Sequence, residues 1–279
     1  MNQSPIVITG MHRSGTSLIS KILLNNDVNL GSQLDINYES IYFQRINKWI
    51  MSCNGSSWDN PKSFNDLNND DIHIFKNKLK GTLNNRFSNS FYFGYSNFLL
   101  NHSFFNLKSP WGWKDPSNTF TVIVWKEIFP NMKIVNITRD PLSVCNSLLI
   151  RQSKLRSADS RFDKSILPFF LPLLSINRGN VLSSFNIENI NDCLNLYRKY
   201  LKQMKLNEEE FGDNFFNVKY EELLNNPEKI IQNINDFCEI KIKKIDGLIN
   251  LVHKNNINKY KNVKHDYSKD LLNDLKVYF

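Results

Sequence analysis

Ile6-Val7-Ile8-Thr9-Gly10-Met11-His12-Arg13-Ser14-Gly15-Thr16-Ser17 decides the fold of this 279-residue chain. The β-branched run Ile6 to Thr9 predicts a short buried strand. It stops at Gly10, and apolar residues at helical spacing follow from Thr16 through Leu24. A strand, a glycine-bounded loop and a helix in that order open a parallel α/β sheet.

The same alternation recurs downstream. Trp111 to Pro116 predicts a strand end broken by proline, with a helix from Thr119 to Phe129. Lys133 to Thr138 predicts a second clear strand. It runs into Arg139-Asp140-Pro141, where Pro141 suits the first turn of a helix continuing to about Gln152. Phe215 to Tyr220 predicts a third, followed by Glu221-Glu222 and a helix from Pro227 to Phe237. Further helices are expected over Ser40 to Met51, Asp70 to Leu83 and about 190–209, with 153–188 irregular. The expected fold is therefore α/β, a P-loop-type parallel sheet flanked by helices on both faces. With no repeat and no Gly/Ser-rich or Pro-rich linker, residues 1–279 read as a single domain with insertions at about 53–110 and 153–188.

Composition sets the outer bounds. A 41% apolar and 13% aromatic content supports a packed core and excludes a disordered chain. No apolar run approaches the roughly 20 residues of a membrane helix. The first residues lead straight into a strand with no signal-peptide pattern, and the four cysteines are scattered, which together suit a cytoplasmic protein with free thiols. A net charge of +8 points to an anionic partner without choosing which.

Two motifs narrow the choice. Gly10 to Ser17 fits the Walker A frame G-x-x-x-x-G-K-[ST], except that Thr16 stands where the lysine belongs. Such a loop wraps an anion in backbone N–H groups at a helix N-terminus. Without the lysine, nucleoside triphosphate hydrolysis is disfavoured, although Arg13 keeps a cation in the loop. The second motif is Arg139 at a strand's carboxyl end, with Ser147 and Arg151 one helical turn apart on the next helix. Two guanidiniums and a hydroxyl suit a phosphate monoester, while a capping turn with two surface arginines is the structural alternative.

Arg-Ser-Gly-Thr-Ser after a short strand resembles the 5′-phosphosulfate loop of sulfotransferases that use 3′-phosphoadenosine 5′-phosphosulfate (PAPS). It is closest to the Golgi and bacterial branch that includes tyrosylprotein sulfotransferases. The resemblance implies that Arg13, Ser14, Gly15, Thr16 and Ser17 hold the donor's phosphosulfate, and that Arg139, Ser147 and Arg151 hold its 3′-phosphate. Tyr220, in Val218-Lys219-Tyr220-Glu221-Glu222-Leu223, matches a tyrosine near the nucleotide. Lys259 and Lys261 fall where the family places a basic loop over the 3′-phosphate, although its Arg-Lys-Gly form is absent. Lys114, in Trp-Lys-Asp-Pro, resembles a lysine that stabilises the transition state. Glu39 is the first choice for the general base, with Asp35 and His102 as alternatives, and His12 packs or contacts the donor.

The implied reaction is in-line transfer of a sulfuryl group to a hydroxyl or amine, with no metal. The acceptor, whether small molecule, glycan or peptide, is not legible. The aromatics Trp58, Phe91, Tyr92, Phe104, Phe169 and Phe170 either line its pocket or belong to the core. Neither nucleic acid nor membrane is needed to account for the charge. A P-loop kinase-like protein and a non-catalytic anion-binding module are the competing readings.

Overall fold

The computed structural model describes residues 3–94, 103–162, 184–241, 245–252 and 267–278. Four strands, β1 (Ile6–Thr9), β2 (Gly112–Lys114), β3 (Lys133–Thr138) and β4 (Phe215–Lys219), form one sheet in the order β2-β1-β3-β4. Every neighbouring pair is parallel. Because all four strands run the same way, their carboxyl ends share one edge of the sheet. The segments after Thr9, Lys114, Thr138 and Lys219 leave from that edge, where open α/β sheets bind ligands.

The crossovers are helical, as parallel pairing requires. Between β1 and β2 lie α1 (Thr16–Asn25), α2 (Ile41–Cys53), α3 (Asn69–Asn84) and α4 (Arg86–Phe93). Helix α5 (Asn118–Lys126) joins β2 to β3, and α6 (Pro141–Phe162) and α7 (Ile190–Phe211) lie between β3 and β4. After β4 come α8 (Tyr220–Asn225), α9 (Pro227–Cys238), α10 (Ile245–Ile249) and α11 (Lys269–Lys276).

Strand alternation divides the core between the two faces. Val7, Trp113 and Ile134 face one way, into a cluster built with α2 to α7. Ile6, Ile8, Val135, Ile137 and Val218 face the other way, against α1, α8 and α9. The first cluster is strongly aromatic, with Phe43 stacked on Trp113 at 3.9 Å and Trp125 meeting Trp113 edge-on. Each such pair adds about 1 kcal/mol beyond the area it buries.

The structure departs from the sequence reading in local ways. Helix α6 reaches Phe162, about ten residues beyond the expected end, because Ser153 to Phe162 holds no proline or glycine to stop it. Helix α4 was not anticipated; the Asn85 side chain caps it by accepting from Ser88 N. Tyr92 and Phe104 are core residues, at 0% and 2% exposure. Among the described residues no helix is long and apolar enough to cross a membrane.

Candidate active site

The loop after β1 needs its glycines. Gly10 sits at φ 129°, and a Cβ there would come within 2.6 Å of the Ile137 carbonyl oxygen. Gly15 sits at φ 112°, and a Cβ there would come within 2.5 Å of the Tyr220 ring. Both positions combine a left-handed backbone with no room for a side chain. Arg13 is itself left-handed at φ 72°, a conformation costly enough in a non-glycine residue to mark a functional turn. The loop is braced by Ser14, whose hydroxyl donates to Met11 O at 2.7 Å, and by Gly10 N donating to Thr119 Oγ1 at 3.2 Å.

Helix α1 begins at Thr16 with no side-chain cap and no acidic residue in its first turn. Its leading N–H groups therefore keep their capacity for an external anion. Ser17 turns aside: its hydroxyl donates to Asn37 O at 3.0 Å and ties the helix to the segment that carries Glu39.

That segment is a tight turn. Asp35 accepts from the backbone N–H groups of Asn37 and Glu39, both at 2.8 Å, and Tyr38 takes a left-handed φ of 62°. The Asp35 carboxylate is thus committed to building the turn, which aims Glu39 inward. Glu39 Oε1 lies 2.6 Å from Lys114 Nζ, and Gln44 donates to Glu39 Oε2 at 2.7 Å. Lys114 also donates to Asn37 O at 3.3 Å.

Lys114 ends β2, and a buried polar network fixes the residues after it. Asn47 Nδ2 donates to Asp115 Oδ2 at 2.9 Å and to Asn118 Oδ1 at 2.6 Å. Trp113, Trp125 and Thr121 donate into the same group of amides. Burial, and after it the neighbouring Glu39 charge, push the Asp115 carboxyl up to about 7.

The second predicted anion element lies alongside. Arg139 is 8% exposed, its guanidinium lies 4.3 Å over the Tyr220 ring, and its Nη1 donates to Arg13 O at 3.3 Å. Tyr197 clamps the strand end by accepting from Arg139 N at 3.1 Å and donating to Arg139 O at 2.8 Å. Arg13 Nε donates to Ser147 Oγ at 2.8 Å, so the two phosphate motifs, 134 residues apart, touch directly. Arg151 packs against Trp58 at 5.6 Å, and its buried Nη1 has no hydrogen-bond partner among the described residues. Burial lowers its pKa first, with Arg13 adding to the effect and Glu39 opposing it.

A cavity of about 220 Å³ collects these groups. Its walls include Arg13, Gly15, Thr16, Ser17, Glu39, Lys114, Arg139, Arg151 and Tyr220, all anticipated from sequence. Ser147 stands one hydrogen bond behind the wall, through Arg13, while the Ser14 hydroxyl is spent on Met11 O. His12, expected from sequence to pack or contact the donor, also lines it, as does Asn37, which sequence reading gave no role. Trp58 stands beside the cavity against His12 and Arg151, while Phe91 is half-buried elsewhere, between α2 and α4. Lys259, Lys261, His102, Phe169 and Phe170 lie outside the described residues. Gln44 carried no sequence signal, because only the fold brings its amide to Glu39.

Comparison with known proteins gives a consistent result. A family model described as "Sulfotransferase family" matches residues 5–244. The sulfotransferase domain from the curacin biosynthetic pathway is similar in structure, with TM-score 0.52 and 12% identity over 99% of this chain and 97% of that one. The sulfotransferase domain of the Synechococcus PCC 7002 olefin synthase is similar at TM-score 0.52 and 14% identity, over 99% and 95% of the two chains. No curated protein matches the sequence.

Proposed function

The chain belongs to the sulfotransferase family, and we propose that it transfers a sulfuryl group from PAPS to a hydroxyl or amine acceptor. The observation that carries this reading is the 2.8 Å hydrogen bond from Arg13 to Ser147, which joins both phosphate motifs at a cavity that also holds the Glu39–Lys114 pair. The residues suit a polyanionic nucleotide. Four cations, Arg13, Lys114, Arg139 and Arg151, line the cavity, the N-terminus of α1 has no side-chain cap, and a buried Arg151 N–H group lacks a partner among the described residues. An unpaired buried donor of this kind costs stability unless a ligand satisfies it.

In this reading Arg13, Ser14, Gly15, Thr16 and Ser17 belong to the loop that receives the phosphosulfate. Arg139, Ser147, Arg151 and Tyr220 belong to the nucleotide side, with Lys259 and Lys261 as further contacts. Lys114 neutralises charge growing on the leaving phosphate oxygen as the sulfur–oxygen bond to phosphate breaks. Glu39 takes the acceptor's proton as the new sulfur–oxygen bond forms, and the electron pair of the broken bond stays with the phosphate oxygen. Each carboxylate oxygen of Glu39 has a second lone pair beyond those used by Lys114 and Gln44, so it can serve as base where it stands. Residues 1–279 act as one domain, and the acceptor is a small molecule, glycan or peptide.

The direct test is binding of 3′-phosphoadenosine 5′-phosphate (PAP), the donor's product, measured as a rise in melting temperature. We expect PAP to stabilise the protein and ATP with magnesium not to. The reverse pattern would instead support a P-loop kinase.

A further inference from the structure

His12 occupies the third position of the loop, and its imidazole lines the cavity together with Glu39 and Lys114. Among the described residues neither ring nitrogen has a hydrogen-bond partner. The ring is nevertheless held in place. It meets the Trp58 indole edge-on at 4.9 Å, and the Trp58 backbone is fixed by Tyr200, whose hydroxyl donates to Trp58 O at 3.0 Å. An oriented polar ring with both nitrogens unused, facing a cavity, has the properties of a substrate-contacting group.

Charge decides which substrate it faces. The groups acting on the ring are Arg13 from its own loop, Lys114 from β2, Arg151 from α6, and Asp59 from the segment after α2. A polyanionic donor gathers on the arginines and Lys114 and is repelled by carboxylates. Asp59 is the carboxylate whose charge reaches the His12 ring, which makes this side of the cavity less favourable to the polyanionic donor and leaves it to the acceptor. Burial, reinforced by Arg151, Lys114 and Arg13, holds the imidazole well below its ordinary pKa of 6.5, so the ring is neutral at pH 7. A neutral ring presents one N–H donor without acting as a fifth cation.

We propose that His12 is a catalytic residue on the acceptor side, donating its ring N–H to one of the two lone pairs of a hydroxyl acceptor's nucleophilic oxygen, which leaves the other for attack and turns the acceptor's own proton toward Glu39. This rests on the sulfotransferase reading above. His12 takes no proton in the step: the proton passes from the acceptor to Glu39, and the sulfuryl group from phosphate to acceptor. In the acid range a protonated His12 adds charge beside Lys114 and Arg151 and holds the nucleophile's lone pair more tightly, so transfer slows.

The test compares wild type with His12→Ala and His12→Asn, since asparagine offers an uncharged N–H donor that does not titrate. PAP-induced stabilisation is measured for all three, along with single-turnover transfer from labelled PAPS to water and to 4-methylumbelliferone as probe acceptors. We expect PAP stabilisation to survive in both variants. Transfer should fall about a hundredfold in His12→Ala, the usual scale for losing an orienting contact. It should recover at least about tenfold in His12→Asn, which should also lose the acid-side inhibition set by His12. The proposal is overturned if His12→Ala keeps wild-type transfer, if it loses PAP stabilisation, or if His12→Asn recovers none of the lost transfer. A wild-type protein that PAP does not stabilise would instead refute the transferase reading itself. A wild type that binds PAP but transfers to neither probe would refute both.

Discussion

Lys114 Nζ lies 2.6 Å from Glu39 Oε1, and the two side chains are only 2% and 5% exposed. A buried ion pair contributes little net stability, because desolvating both charges offsets most of their attraction. Removing one partner, however, strands the other charge out of water. This pair is therefore held in place by the fold around it: the Asp35 turn, Gln44, and the amide network behind β2.

Lys114→Met and Glu39→Gln each break the pair and are expected to destabilise the protein by about 3–5 kcal/mol. The double variant should recover much of that loss, because it leaves no uncompensated charge. Urea denaturation of the three proteins reads the effect. Sulfuryl transfer should stay abolished in all of them, and PAP binding should survive in the double variant. If stability and transfer were recovered together, the pair would be structural and not part of the chemistry.

Gly15→Ala tests the contact between the loop and Tyr220. The added methyl would overlap a Tyr220 ring carbon at 2.5 Å, on a backbone at φ 112°. We expect at least a tenfold loss of PAP affinity with the fold retained, measured by titration calorimetry. Gly15→Ala combined with Tyr220→Ala should regain only part of it, since the clash is relieved while the backbone strain remains. Full recovery would show that strain at Gly15 is immaterial.

The sequence revealed the parts of this site that are local in the chain. The β-branched run, the glycine pair and the Pro141 helix start lie within a few residues of the chemistry they support. Arg139, Ser147 and Arg151 are placed at one strand end and on one helix face by periodicity, and the resemblance to sulfotransferases supplies their role. What it could not show are relationships made by the fold. The Glu39–Lys114 pair closes over 75 residues, and the Arg13–Ser147 bond over 134. Tyr92 and Phe104 carry the same aromatic signal as Trp58, yet of the three only Trp58 stands beside the cavity, because α4 turns Tyr92 into the core and Phe104 packs against it. Helix α6 overran its expected end because a polar helix with no stop residue shows no amphipathic period to count.

Asp115 should leave a signature in stability against pH. Its carboxyl is pushed up to about 7 from an ordinary 3.8, by burial and then by Glu39. Across that interval the folded state binds more protons than the unfolded state, so stability falls as pH rises and levels off above about 7. Asp115→Asn does not titrate, so its stability relative to wild type should improve from about pH 4 to about pH 7 and then level off. Chemical denaturation at several pH values measures the difference. A constant offset between the two proteins would mean that Asp115 is ionised throughout.

Arg151 offers the clearest test of the donor pocket, because its buried Nη1 has no partner among the described residues. In the absence of ligand that N–H carries a desolvation cost, which a bound phosphate or sulfate oxygen would remove. Arg151→Ala should therefore weaken PAP by about tenfold or more while leaving the unliganded protein as stable as wild type, or more so. Arg151→Lys should restore the charge but not the planar fork, and recover only part of the affinity. Comparing PAP affinity at low and high salt separates the two contributions. Screening weakens the long-range attraction that lysine can supply, and it acts much less on a buried hydrogen bond. Lysine equal to arginine at both salt levels would reduce Arg151 to a point charge. A loss of unliganded stability in Arg151→Ala would make its packing on Trp58 the main role.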